Sequence, residues 1–372
     1  MEKSWSTDAD PQQAPWFTPR RTSHLPGCGG VLLSNPQDFI VDERLPYPLS
    51  GDGAHLYVRI EKRGVDTLSV VRCIAENTGI KSEDIGVAGL KDRWSIAQQW
   101  LSMPDAVGLE STLARLENET FRIVETTRHV NKLRRGHVAA NRFIIRLSAV
   151  PVGGLERARA TLELLKQVGL PNAFGRQRFG RFGDNPRRGL ALLRGRKRRR
   201  GRLDALMLSS VQSMVFNRVL ATRLSTDQLG AALVGDVMQK HDSHGLFEVI
   251  DAQAEQARVD QLAISATGPI IGKRMRQPTG APGQAEADAL IACGLSEADT
   301  ARFGRGTRRP LRIPCDPQAS VRAVDTTELE VTFELPSGSY ATVLLDELVK
   351  PEDGAFQRVE ATTACESSRD DP

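Results

Sequence analysis

SVRAVDTTELEVTFELPSGSYATVLLDELV, residues 320–349, decides how this chain is organised. Its first part alternates apolar and polar side chains as a strand does, and YATVLLDELV (340–349) follows as a helix. Upstream, strand, helix and turn alternate irregularly to about residue 168. VLLSNPQDFIVDERL (31–45) becomes strand-like after the Pro36 turn, and HLYVRIEKRG (55–64) puts Leu56, Val58 and Ile60 on one strand face. DTLSVVRCIAENTG (66–79) switches to helical spacing, with Asp66 or Thr67 capping its start and Gly79 stopping it. WSIAQQWLSM (94–103) fits either a strand or a short helix, while FRIVETT (121–127) and NRFIIRLSAV (141–150) fit strands. LERARATLELLKQVG (155–169) is a helix closing on Gly169. Then the pattern breaks into a basic block, a helical stretch (203–224) and connections punctuated by glycine and proline. Among these, GKRMRQPTGAPGQAEA (272–287) reads as an exposed excursion. The return of strand patterning near residue 314 therefore predicts an α+β fold with a mixed sheet. The core domain is interrupted by an insertion, and the final strand and helix rejoin it.

The 372 residues exceed one ordinary core and favour two domains. No apolar run approaches eighteen residues, so no membrane span is expected, and the polar opening MEKSWSTDADPQQAPW reads as a loose leader rather than a signal peptide. Five cysteines, at 28, 73, 293, 315 and 365, form no CxxC pair and suit free thiols in a reducing cytoplasm. His241 and His244 lack further ligands nearby, so no metal is expected. GRQRFGRFG lacks a P-loop ending, and no glycine motif suggests a nucleotide cofactor.

Charge is unevenly spread. Residues 176–202 hold twelve of the 50 Lys and Arg but one of the 46 acids, Asp184. The remainder carries 38 bases against 45 acids, about −7. Such a block is either a solvated loop or the footprint of a polyanionic partner.

AGLKDRWSIAQQW (88–100) sets Asp92 between Lys91 and Arg93, just after a glycine. Read locally, Asp92 shapes a charged turn. Four strings taken together change that reading: NPQDFIVDE (35–43), VAGLKDR (87–93), NRFIIRL (141–147) and PNAFGRQRFG (171–180), with LPSGSYAT (335–342) as a fifth. In this order the set resembles the TruD family of tRNA pseudouridine synthases, from about residue 30 to 350.

The resemblance implies a pseudouridine-synthase catalytic domain with a mixed, largely antiparallel sheet, interrupted by a family-specific inserted α/β domain. It divides the chain into a leader (1–27), a first catalytic part (28–168), the insertion (169–313), a closing catalytic strand and helix (314–358) and a tail (359–372). RNA would lie in the cleft between the domains. The implied reaction isomerises uridine-13 of tRNA to pseudouridine with no cofactor; the cysteine usage and the histidine spacing add the expectations of a cytoplasmic protein and no metal, and monomer is the default state.

That chemistry requires a uridine turned out of its stack into a pocket with aromatic faces and groups that read a pyrimidine edge. It also requires an anionic group at the sugar, as nucleophile or as base. By resemblance Asp92 is the catalytic aspartate, with Lys91 and Arg93 as supporting charge. Asn141, Phe143 and Phe39 match substrate-contacting positions. Tyr340 matches one that is often phenylalanine. Arg176, Arg178 and Arg181, interleaved with Phe174 and Phe179, are candidate phosphate contacts, and the run 196–200 a further one. A non-catalytic tRNA-binding or folding-assistance module of the same architecture is the alternative; the unsubstituted aspartate favours the enzyme.

Overall fold

The computed structural model describes residue 14 and residues 17–33, 35–195, 201–351 and 358–359. Packing divides the chain into two compact units, one of residues 29–155, 318–338 and 357–372, the other of residues 1–28, 156–317 and 339–356.

The first unit carries the sheet that bears the candidate site. Its strands are β1 (Phe39–Arg44), β2 (His55–Arg63), β3 (Ile96–Pro104), β4 (Phe121–His129), β5 (Ala140–Leu147), β6 (Ser320–Ala323) and β7 (Leu329–Pro336), and its first helix is α1 (Thr67–Thr78). They lie in the order β6-β7-β5-β1-β3-β2-β4, with Gly86–Val87 paired to β3 as an eighth strand. Within this sheet β1 and β3 run parallel and the other pairs antiparallel. The ambiguous run WSIAQQWLSM is a strand from Ile96 on, because β2 takes it up residue for residue from His55↔Pro104 to Arg63↔Ile96, while Trp94 and Ser95 belong to the preceding turn.

The strand patterning read over 320–338 is two strands, β6 and β7, and β7 pairs with β5 along its whole length, from Leu329↔Leu147 to Pro336↔Ala140. The helix Ala341–Val349 belongs to the other unit, although its position in sequence groups it with β7. There its buried Glu347 accepts from the backbone amides of Arg21 and Thr22 and from the Thr22 hydroxyl at 2.6 Å.

One face of β2 and β3 is closed by α1. Asp66 caps that helix by accepting from Leu68 N and Ser69 N, and Gly79 ends it in the left-handed region at φ 74°. Val70, Val71 and Ile74 pack against Leu56, Val58, Ile60, Leu101 and Met103. Burying a side chain of this size contributes about 1.5–3 kcal/mol.

The second unit is built on the helix Arg202–Ser225 and an antiparallel four-stranded sheet in the order Leu246–Glu248, Val237–Lys240, Ile264–Ile270, Thr307–Pro310. Phe216, Val219 and Leu220 of the helix enter a core with Phe174, Phe179, Met238 and Ile264. The expected exposed excursion (272–287) is corrected in its second half, while residues 272–279 form an irregular and largely exposed connection. Gly280–Ala292 is a helix with Pro282, Glu286 and Ala289 buried. Proline fits its first turn, and Glu286 forms a buried ion pair with Arg308 at 2.5 Å. No helix among the described residues is long and apolar enough to cross a membrane. The leader's first residues, the run 196–200 and Cys365 lie outside the described residues.

Candidate active site

Alternation along the strands decides which side chains meet. On one sheet face β1 presents Phe39, Val41 and Glu43, and β5 presents Asn141, Phe143 and Ile145, with Glu43 opposite Asn141 and Val41 opposite Phe143. Ala97 and Gln99 of β3 and Ile60 and Lys62 of β2 continue that face.

The loop carrying Lys91 and Asp92 folds back onto these residues. The Lys91 ammonium lies 2.8 Å from Glu43 Oε2 and donates to Asn141 Oδ1 at 2.5 Å. An ammonium only donates, so Asn141 turns its oxygen to Lys91 and keeps its NH2 available for another acceptor. Glu43 is 2 % exposed and also accepts from Trp100 N at 3.3 Å. Burial pushes its carboxyl above the usual range, and the Lys91 charge pulls it back. Gly89 permits the close approach: a Cβ there would stand 3.2 Å from Glu43 Oε2.

Four further hydrogen bonds pin the loop, and one of their partners, Thr67, is itself anchored. Thr67, at the start of α1, accepts from Lys91 N and donates to Gln99 Oε1, both at 2.9 Å. Asp92 O accepts from Lys62 Nζ at 2.6 Å and from Ser95 Oγ at 2.8 Å. Asp92 Oδ1 accepts from Trp94 N at 3.1 Å, so the carboxylate is held by its own turn while the residue stays exposed. Lys62 is fully buried and also donates to Val65 O at 2.8 Å. Burial lowers its pKa to about 8; Asp92 and Asp66 oppose that shift and Lys91 adds to it.

Of the residues singled out in sequence, Lys91 and Asn141 are thus in direct contact, and the half-buried Phe39 meets Phe143 edge to face at 5.9 Å between ring centroids. Phe143 in turn stacks on Phe333 at 5.2 Å. The Arg93 guanidinium lies over the Trp94 ring, 4.9 Å from its centroid.

Tyr340, Arg176, Arg178 and Arg181 belong to the second unit. The Tyr340 ring meets Phe174 at 5.8 Å, and burial raises its pKa. Arg178 lies 5.8 Å over Phe174 and donates to Ser213 Oγ at 3.3 Å. Arg181 covers the exposed Phe182 at 5.6 Å. Arg176 is half-buried, which lowers its pKa. Arg309, absent from the sequence reading, also stacks on Phe174 at 4.4 Å, its pKa drawn down to about 10 by burial.

Glu43, Lys62, Thr67 and Gln99 were not legible as parts of this arrangement. For Glu43 and Lys62 a signal existed: each continues the inward alternation of its strand, at the position where an apolar residue belongs. Chemically, the cluster offers an exposed carboxylate on a fixed backbone, an oriented amide donor and aromatic rings on the same sheet face. Among the described residues no group of three or more His, Cys, Asp or Glu is placed to hold a metal ion.

Comparisons with known proteins place the chain in one family. The family model described as tRNA pseudouridine synthase D (TruD) matches residues 19–199 and 197–348. A protein named tRNA pseudouridine synthase D from Anaeromyxobacter dehalogenans (strain 2CP-C) is 44% identical over 343 residues, spanning 89% of this chain and 96% of the relative. Its namesake from Thermus thermophilus is 39% identical over 359 residues, spanning 95% and 98%. The crystal structure of a Methanosarcina mazei protein titled a putative tRNA pseudouridine synthase D superposes with a TM-score of 0.73 at 21% identity, covering 93% of this chain and 99% of that one; it shows a shared fold.

Proposed function

Because the chain belongs to the TruD family of tRNA pseudouridine synthases, we propose that it isomerises uridine-13 of tRNA to pseudouridine, with Asp92 as the reacting carboxylate. The observation that carries the reading is the Lys91 ammonium, bonded at once to Glu43 and to Asn141, one residue from an exposed aspartate. In this scheme the uridine leaves its stack, at a cost of a few kcal/mol. The Asn141 NH2 donates to a uracil carbonyl, and Phe39 and Phe143 supply apolar ring surface. Asp92 acts at the sugar while the glycosidic bond breaks, and the base reattaches through carbon. Lys62 and Ser95 act through the Asp92 backbone, holding the carboxylate where the sugar must come.

The test is to incubate the protein with unmodified tRNA transcripts and to map pseudouridine by carbodiimide-block primer extension. Wild type should give a stop at position 13. Asp92→Asn keeps an oxygen for the Trp94 amide and so keeps the turn, yet should lose at least about 100-fold in rate. Binding without modification in wild type would instead favour a non-catalytic tRNA-binding module. Equal activity in the variant would remove Asp92 from the mechanism.

A further inference from the structure

Trp94 is 48% exposed, whereas Trp100, the other described tryptophan, is 8% exposed. Leu90, two residues before Asp92, is 43% exposed, so the exposed carboxylate is flanked on both sides in sequence by large apolar side chains that the fold leaves at the surface. Hydrophobic burial cannot account for an indole in such a place. Nor is it carried on a loose loop. Its backbone amide donates to Asp92 Oδ1 at 3.1 Å, and Ser95 and Ile96, which follow it, are buried as the chain enters β3. The Trp94 backbone is therefore held beside the carboxylate, and the Arg93 guanidinium lies 4.9 Å over the ring. A flat aromatic surface joined to a guanidinium is the pairing that holds a single-stranded nucleotide, the ring under the base and the cation at the phosphate.

We propose that Arg93 and Trp94 form a subsite for a nucleotide adjoining the target uridine, with the indole stacking on its base and the guanidinium meeting its phosphate. The inference rests on the reading of Asp92 as the reacting carboxylate. Turning a uridine out of its strand strips its neighbours of a stacking partner, and the indole replaces that contact beside the sugar to be attacked. Because every base has a π-face, this subsite holds the strand without selecting sequence.

The experiment is a cycle of two changes. Trp94→Ala and Trp94→Phe are measured for tRNA affinity and for KM, on the intact transcript and on transcripts carrying an abasic site on either side of the target uridine. On the intact transcript, Trp94→Ala should weaken binding and raise KM by about tenfold. Trp94→Phe should recover most of that loss, and both variants should keep the wild-type Tm. On the transcript lacking the stacked base, wild type and Trp94→Ala should bind within about twofold of each other. An unchanged affinity in Trp94→Ala, or an equal loss on every transcript, would overturn the subsite. Affinity is read separately from turnover. A wild type that binds but does not modify tRNA removes the catalytic reading while the cycle still reports stacking; a wild type that modifies tRNA with no coupling to Trp94 removes the subsite alone.

Discussion

Lys91 and Asn141 are joined by a 2.5 Å hydrogen bond from ammonium to amide oxygen, and the same ammonium holds the buried Glu43 carboxylate. Orientation of the amide and neutralisation of the glutamate therefore depend on one side chain. Lys91→Met should strand a carboxylate whose side chain has no exposed surface, at a cost of about 3–5 kcal/mol in stability. Adding Glu43→Gln should restore most of the Tm while kcat/KM stays low, because Asn141 remains unoriented. Thermal melts and single-turnover rates check both halves. A wild-type Tm in Lys91→Met would contradict the account.

Lys62 gives the pH dependence. Its pKa in the folded chain is about 8, against 10.5 for a solvated lysine. Between these values the unfolded chain retains a proton that the folded chain has shed, so this group's contribution to stability rises with pH across that window. Activity should move the other way: above about pH 8 the Asp92 carbonyl loses its charged donor, and kcat should fall. In Lys62→Met, kcat should be lower throughout, its alkaline limb should vanish, and the stability gain between pH 8 and 10.5 should flatten. A variant that keeps the limb would assign it to another group.

The Tyr340 ring packs edge to face on Phe174, 5.8 Å between centroids. Tyr340→Phe preserves that edge-to-face contact and should leave rate and affinity within about twofold. Tyr340→Ala removes the ring and should cost about 1–3 kcal/mol of stability. A large loss of rate in Tyr340→Phe would show that the hydroxyl itself is used.

Arg178 and Arg181 differ in packing, and this separates their effects. If both meet phosphate, replacing either by alanine should reduce the salt dependence of tRNA binding by about one in logarithmic slope. Arg178 also leans on Phe174 and Ser213, so its loss should lower Tm as well. The exposed Arg181 should leave Tm unchanged. Salt titrations of affinity beside thermal melts distinguish the two, and an unaltered slope in either variant would exclude that residue as a phosphate contact.

Sequence patterning revealed the elements better than the polar interior they enclose. The helix after Asp66, the strands β1 and β5, and the return of strand patterning after the long interruption follow from periodicity, because burial on one face imposes it, whereas their pairing is seen only in the structure. Asp92, Asn141, Phe143 and Phe39 stood out through short ordered strings, not through any local physical signal. Glu43 and Lys62 were hidden because charged residues are assigned to the outer face by default. Only the fold shows that their partners, Lys91 for one and two backbone carbonyls for the other, make burial tolerable. Within the segment 272–287, the part from Gly280 on misled through its glycines and proline; its helix is stabilised by the Glu286–Arg308 pair, formed across a distance that no local window spans.

The pairing of β7 with β5 bears on how the polypeptide is made. Until residues beyond 329 have left the ribosome, β5 has an open hydrogen-bonding edge and Phe143 lacks the ring of Phe333 against which it later stacks. A nascent chain must carry that unfinished edge while residues 156–317 of the second unit are being synthesised, which exposes it to association with other chains. Messages cut short before the final strand would accordingly yield insoluble product, and a slow pause after the insertion would lengthen the vulnerable interval.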